Sequence, residues 1–320
     1  MSDGGAAGAR APSFLADWRK YIPYLGFVLI FAFFSATLFN KGFLDPNNLL
    51  NILRQTAMIS IMTVGMTYVL AAGEIDLSIG MVAGLASLVV AVAMDGYGAF
   101  AGVAAGLATG ALVGLVNGVL TTRVGIPSFL TTLAMMGVAR GTAMWMTQTK
   151  SAPILDDAYI WAFGGGNLGP VPVLVIWTAA LALAGHIVLR RTTFGRRVLA
   201  TGGSETAARY SGIDTRGVKM RVLIISSVLA AVAGMLYAGR LHSGRFQLGE
   251  GDELSVIAAA VLGGTSLFGG TGTVVGSIVG SLMIGVINNG LLLMGLEYSQ
   301  QLIARGVIII VAVAISQSRK

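Results

Sequence analysis

Ten apolar runs, each close to the length of a membrane-crossing helix, follow one another along this 320-residue chain. The first is Tyr21–Phe39, and the rest fall near 53–72, 77–94, 99–121, 127–147, 171–189, 222–240, 254–268, 272–294 and 299–316. A spanning helix needs roughly 20 predominantly apolar residues, within a range of about 17–25. Repetition of such runs leaves one fold class, an all-α polytopic membrane protein with about ten transmembrane helices. The run 254–268 is short, ends in glycine-rich sequence, and is the weakest of the ten.

Composition closes the alternatives. Charged residues make up 11% and mean hydropathy is +0.80, whereas a soluble domain carries about 25% charged residues. With no cysteine and two histidines, thiol catalysis, disulfides and a His- or Cys-ligated metal site are all excluded. The net charge of +7 reads as basic residues gathered in cytoplasmic loops, not as a nucleic-acid surface. The sequence divides into a cytoplasmic tail, 1–20, and a single transmembrane domain, 21–320. No A-x-A-like cleavage site follows Tyr21–Phe39, so this run reads as a retained first helix.

Basic residues set the expected orientation. Both termini on the cytoplasmic side put fourteen of the 21 basic residues inside, eight of them between Arg190 and Arg221, and only Lys41, Arg54, Lys150, Arg240 and Arg245 outside. Two spans share a pattern as well. Gly102, Gly106, Gly110, Gly114 and Gly118 recur every fourth residue, as do Gly272, Gly276 and Gly280. The stretch 110–120 aligns with 280–292, five spans later, so the two copies run in opposite directions. Such an inverted repeat is a recurrent transporter architecture; the alternative is two unrelated packing helices. Glycines four apart share one helix face and let backbones approach closely. That face serves either packing within the chain or contact with a partner subunit.

The longest inside loop, about 190–221, contains a short helix. Ser204 is its N-cap, Glu205 is an acid in the first turn, and Gly212 is the stop. The segment reads either as a docking helix for another protein or as a solvated positive loop.

Four stretches carry a family resemblance: Ala72-Gly-Glu-Ile-Asp-Leu-Ser-Ile-Gly80, Ile126-Pro-Ser-Phe-Leu-Thr-Thr-Leu133, Thr201-Gly-Gly-Ser-Glu-Thr-Ala-Ala-Arg-Tyr-Ser-Gly-Ile213 and Leu262-Gly-Gly-Thr-Ser-Leu-Phe-Gly-Gly-Thr-Gly-Thr273. In this order they resemble the ribose-type sugar permeases of ABC importers, from about residue 40 onward. The resemblance implies a type II importer subunit in a bacterial inner membrane, paired with a second copy of itself. A cytoplasmic ATPase and an extracytoplasmic sugar-binding protein would complete it. No G-x-x-x-x-G-K-[S/T] phosphate loop is present, so the chain is expected to be no enzyme and to hold no cofactor, with ATP and magnesium on the partner ATPase. It also implies that Ser204, Glu205, Ala207, Ala208, Arg209, Tyr210 and Gly212 couple to that ATPase, and that Thr121, Thr122, Arg123 and Gly125 form a cytoplasmic gate.

The polar residues left inside or beside the spans are the candidate path. Asp76, next to Glu74, reads as an N-cap of the third span, as path lining, or as an ion site. Arg140 lies 13 residues beyond Pro127, about 20 Å along a helix, and so is expected to face the bundle interior or a water-filled path. Its partner is either substrate or a structural acid or carbonyl. Asn117, Asn288 and Asn289 occupy matching places in the two repeat copies. They read as interhelical amide bonds or as donors and acceptors for a neutral sugar. Arg240, Arg245, Glu250, Asp252 and Glu253 are placed on the outer face, either docking a binding protein or solvated. The favoured function is a monosaccharide importer permease. A branched-chain amino acid or nucleoside permease is the alternative, followed by an ion-coupled transporter and a membrane enzyme.

Overall fold

A computed structural model describes residues 21–297, 299–304, 306, 307 and 310. The expected tail 1–20 and most of the run 299–316 lie outside the described residues. Eleven helices are bounded in chain order: α1 (Ile22–Thr37), α2 (Pro46–Ala71), α3 (Ile79–Val119), α4 (Ser128–Thr147), α5 (Asp157–Ile160), α6 (Val173–Arg191), α7 (Thr193–Gly203), α8 (Glu205–Tyr210), α9 (Thr215–Leu241), α10 (Asp252–Leu262) and α11 (Val274–Leu293). Among the described residues, strand structure is limited to two short antiparallel pairs, Ala152–Pro153 with Ser243–Gly244 and Asn167–Leu168 with Val171–Pro172.

Stretch α3 is two helices. Gly98 interrupts it with φ 82° and ψ 172°, a conformation open mainly to glycine, and the chain folds back there. A β-carbon on Gly102 would lie 2.9 Å from the Val90 carbonyl, and one on Gly106 would clash with the Val90 side chain. In a straight helix Val90 and Gly106 would stand about 24 Å apart. The runs expected near 77–94 and 99–121 are therefore the two arms of a hairpin.

Helix α2 is the axis of the bundle. Every residue from Thr56 to Ala71 is buried; its hydroxyl stripe Thr56, Ser60, Thr63 and Thr67 is turned inward, with Ser60 and Thr67 bonded to Ser281 and Ser277 of α11. Asp45 starts it by accepting the Asn47 N–H at 2.7 Å, with Pro46 in the first turn. Helix α9 packs along both arms of α3 and along α2. The glycine stripe of the second arm makes that approach possible: a β-carbon on Gly110 would lie 2.6 Å from the Ser227 carbonyl, and one on Gly114 would lie 2.6 Å from the Ile224 Cα. On α11, Gly276 and Gly280 seat against Gly263 and Ala259 at the end of α10. Both stripes are thus used inside the chain, which settles the question left open between internal packing and a partner subunit.

The stretch after α9 differs from the expected span 254–268. Past His242 the chain turns back into the bundle as the two-residue strand Ser243–Gly244 followed by tight turns through Gly251. Gly244 sits against Ser87 and Leu88, the carbonyls of Phe246 and Leu248 against Gly84, and the carbonyl of Gly249 against Gly80. Only then does α10 begin, with 11 residues. This crossing is an irregular segment followed by a short helix, too polar in its first half to read as apolar sequence.

Among the described residues, five helical stretches are long and apolar enough to cross a membrane: Pro46–Ala71, Ile79–Val124 with its hairpin, Val173–Arg191, Thr215–Leu241 and Val274–Leu293. The shorter α1 is equally apolar in character. The chain is a multi-pass membrane protein.

Crowding separates the glycines experimentally. Gly114→Val must push α9 away and is expected to lower thermal stability in detergent by about 1–3 kcal/mol or more. Gly141→Ala, where no atom lies within 4 Å of the new carbon, is expected to leave the melting temperature unchanged or slightly raised. Equal losses for both would contradict the packing described.

Candidate functional site

All four stretches that carry the family resemblance meet at one end of the bundle. At their centre runs the segment 72–78, between the end of α2 and the start of α3. Gly73, with φ +81°, turns the chain back after Ala72, and the next residues enter the bundle extended. Extended backbone has no neighbours in its own helix, so its N–H groups need side-chain partners. The Ile75 N–H donates to Ser128 Oγ at 3.1 Å and the Leu77 N–H to Thr132 Oγ1 at 2.9 Å. Both acceptors lie on the first turns of α4, inside the second of the four stretches.

Asp76 is wholly buried. Its carboxylate accepts the Ser78 N–H at 3.0 Å, the Ser78 hydroxyl at 2.6 Å and the Ser226 hydroxyl of α9 at 2.8 Å. Asn117 Nδ2 donates to Ser78 Oγ at 3.0 Å, while its Oδ1 has no partner. Ser78, not Asp76, is the N-cap of α3, so the expected cap is displaced by two residues. The carboxylate instead orders the backbone that leads into the helix. It was expected at a span boundary near the surface; it lies in the core because the segment turns inward before α3 begins.

The third and fourth stretches close over this segment. The Gly270 N–H donates to the Ala71 carbonyl at 3.0 Å. A β-carbon on Gly202 would clash with that same carbonyl, and one on Gly269 would lie 2.5 Å from the Gly202 carbonyl. Here glycine is needed because three backbones touch. Next comes α8, as expected from Ser204 and Gly212. Ser204 Oγ accepts the Ala207 N–H at 3.3 Å, and Gly212 stops the helix with φ +80°. Only Ala208 of α8 is buried. Tyr210 is 89% exposed and lines a surface pocket with Thr206 and Arg209.

One side chain ties α8 to the buried segment. Lys219, on the first turns of α9, donates to Glu74 Oε1 at 2.6 Å and to Glu205 Oε2 at 2.7 Å. Thr215 Oγ1 adds a bond to Glu205 Oε1 at 3.2 Å. The Lys219 hydrogen bond and charge hold the Glu205 carboxyl below its ordinary value.

The other expected residues lie elsewhere. Thr121, Thr122 and Arg123 fall in a π-helical turn, Leu120–Val124, that ends at Gly125 with φ +87°. Thr122 Oγ1 donates to the Gly118 carbonyl and Arg123 is exposed. Arg140 is not enclosed: it pairs with Glu250 at 2.7 Å, each side chain 43% exposed. An acid is thus its partner in this structure. Asn289 forms a reciprocal amide pair with Asn48, 2.9 and 3.0 Å, at the opposite end of α2 from Glu74. Asn288 is half-buried and stands outside that pair. The group placed on the outer face needs correction. Glu253 is buried against Gly80, its Oε2 2.7 Å from where a β-carbon would sit, and Asp252 accepts the Tyr237 hydroxyl at 2.6 Å.

Sequence reasoning passed over Lys219, Ser226 and the buried setting of Glu253. For Glu253 a signal existed: Asp76-Leu-Ser-Ile79 returns as Glu253-Leu-Ser-Val256, each at the start of a helix. Lys219 carried none, being one of eight basic residues in its loop.

Comparison with known proteins agrees with the motif reading. Residues 48–313 match the model of the family described as branched-chain amino acid transport system / permease component. The ribose import permease protein of Bacillus subtilis is 38% identical over 303 residues, covering 94% of each chain. That of Escherichia coli K12 is 39% identical over 290 residues, 88% of this chain and 89% of the relative. The L-arabinose transport system permease protein of Escherichia coli K12 is 34% identical over 320 residues, 98% and 96% of the two chains. No solved structure matches. The chain belongs to this permease family.

The lowered Glu205 carboxyl sets a pH dependence. A group whose folded value is depressed contributes stability in full above its unfolded value and loses it as pH falls through the folded one. A spin label at Thr206 on α8 is expected to keep its mobility down to the ordinary glutamate value of 4.5 and to loosen below it. In Glu205→Gln that acid transition is expected to vanish. A transition that persists in the variant would remove Glu205 as its origin.

Proposed function

We propose that this chain is the membrane-spanning permease subunit of an ATP-driven importer for a monosaccharide, a pentose or hexose. The observation that carries this reading is the convergence of the four sugar-permease stretches on one end of the bundle, with α8 projecting from it. The relatives at 34–39% identity are named for ribose and L-arabinose, which favours sugar over the amino acids named in the family description.

On this reading the end that carries α7 and α8 is cytoplasmic, as are both termini, and the bilayer is a bacterial inner membrane. Ten spans arise from the described helices together with the run 299–316. The inverted repeat draws support from two pairs of features. Asn117 bonds to Ser78 and Asn289 to Asn48, and Asp76–Ile79 and Glu253–Val256 each stand at the start of a helix. Two copies of the chain enclose the path. A cytoplasmic ATPase, holding ATP and magnesium, docks on α8 through Ser204, Glu205, Ala207, Ala208, Arg209, Tyr210 and Gly212. An extracytoplasmic binding protein delivers the sugar at the opposite end.

The candidate path residues take different parts. Asp76 and Asn117 stiffen the wall behind the path, and Asn289 holds α11 to α2. Arg140 and Asn288 keep polar groups open toward a passing hydroxyl. Thr121, Thr122, Arg123 and Gly125 gate the cytoplasmic exit. No bond of the sugar is made or broken, and hydrolysis belongs to the partner.

Reversing a charge on the docking helix tests this. Glu205→Lys or Arg209→Glu, at normal membrane levels, is expected to reduce ATP-driven uptake at least about tenfold, the scale of losing an interfacial charge pair. Affinity for the loaded binding protein is expected to stay unchanged. Uptake at the original rate in both variants would overturn the docking assignment.

A further inference from the structure

We propose that Lys219 is the positioning residue through which displacement of α8 reaches the buried segment 72–78. The proposal rests on the importer reading above and assigns the step between the docking helix and the path. Three observations carry it.

First, α8 has few other holds on the bundle. Among its residues only Ala208 is buried, and its polar attachments beyond its own loop run through Glu205, to Lys219 and Thr215. Second, Lys219 serves two masters. Its ammonium stands 2.7 Å from Glu205 and 2.6 Å from Glu74, with side-chain exposures of 18% for Lys219 and 9% for Glu74. The inner pair with Glu74 is less screened than a surface one, whereas Glu205 is 41% exposed, so moving Glu205 away pulls the lysine or leaves it leaning on Glu74 alone. A lysine on a four-carbon stem can follow either acid.

Third, the far end of the link is soft in a specific way. Glu74 opens a segment whose N–H groups at Ile75 and Leu77 are bonded to hydroxyls of α4, not to a fixed ladder. Hydroxyls can exchange partners by rotating. A pull on Glu74 therefore reaches Asp76, which holds Ser226 of α9, and through Ser128 and Thr132 reaches the start of α4. The Lys219 link joins the docking helix to the point where α3, α4 and α9 are fastened together.

The test uses the assembled transporter with its ATPase and binding protein. Because the chain has no cysteine, pairs of spin labels can be placed directly. A Ser211–Tyr97 pair reports α8 against the hairpin tip at Tyr97, and a Phe129–Tyr97 pair reports the start of α4. ATP is expected to shift both distances in the unsubstituted chain. In Lys219→Met only the first should shift, with uptake down at least about tenfold and ATP hydrolysis within about twofold. Lys219→Arg, which keeps the charge in a different shape, should recover the second shift, and Glu74→Gln should reproduce the loss. If the Phe129 distance still shifts in Lys219→Met, or if uptake and hydrolysis fall together, the relay is overturned. If ATP moves neither pair and drives no uptake in the unsubstituted chain, the importer reading itself fails and takes the relay with it.

Discussion

Backbone that leaves its helix inside a membrane bundle must find hydrogen-bond partners there, because lipid offers none. The segment 72–78 meets that requirement with side chains from two other helices. Ser128 and Thr132 of α4 take its N–H groups, Ser226 of α9 bonds its buried aspartate, and Lys219 holds its glutamate. Each of these residues is fixed in place by the demand of that one segment. The helices around it can shift only by giving up bonds to it, which makes it the natural point of leverage in the bundle.

Glycine supplies the second half of the arrangement. Three stretches of backbone come together where Gly202, Gly269 and Gly270 lie against Ala71, and a side chain at Gly202 or Gly269 would separate them. The same economy of space lets the segment 243–251 lie along Gly80 and Gly84, bringing the start of α10 beside the start of α3. Two interrupted crossings therefore meet inside the molecule. Each begins as non-helical chain and continues as a helix, and each has an acid at the junction, Asp76 and Glu253.

Much of this was readable in the sequence, for definite reasons. The apolar runs gave the helices, since length and hydropathy are local properties, and Ser204 with Gly212 marked the ends of α8 because caps are local too. The glycine periodicity announced a close contact without naming the helix on the other side. The crossing 243–262 was misread because its first, irregular half is polar and hides among backbone contacts. Arg140 was expected inside on the strength of its depth alone, yet a loop 110 residues later brings Glu250 to it. Lys219 was invisible for the same reason: its two acids come from positions 74 and 205, and only the fold makes them neighbours.

On the proposed importer reading, an ATPase docks at one end of the bundle and its strokes reach the sugar path through the segment 72–78. The most direct test of that reading is to purify the tagged chain from mild detergent and assay what comes with it. Recovery of a nucleotide-hydrolysing subunit, with hydrolysis stimulated by a sugar-loaded binding protein, is the predicted result. A chain that purifies alone and carries solute into liposomes under an ion gradient would contradict it.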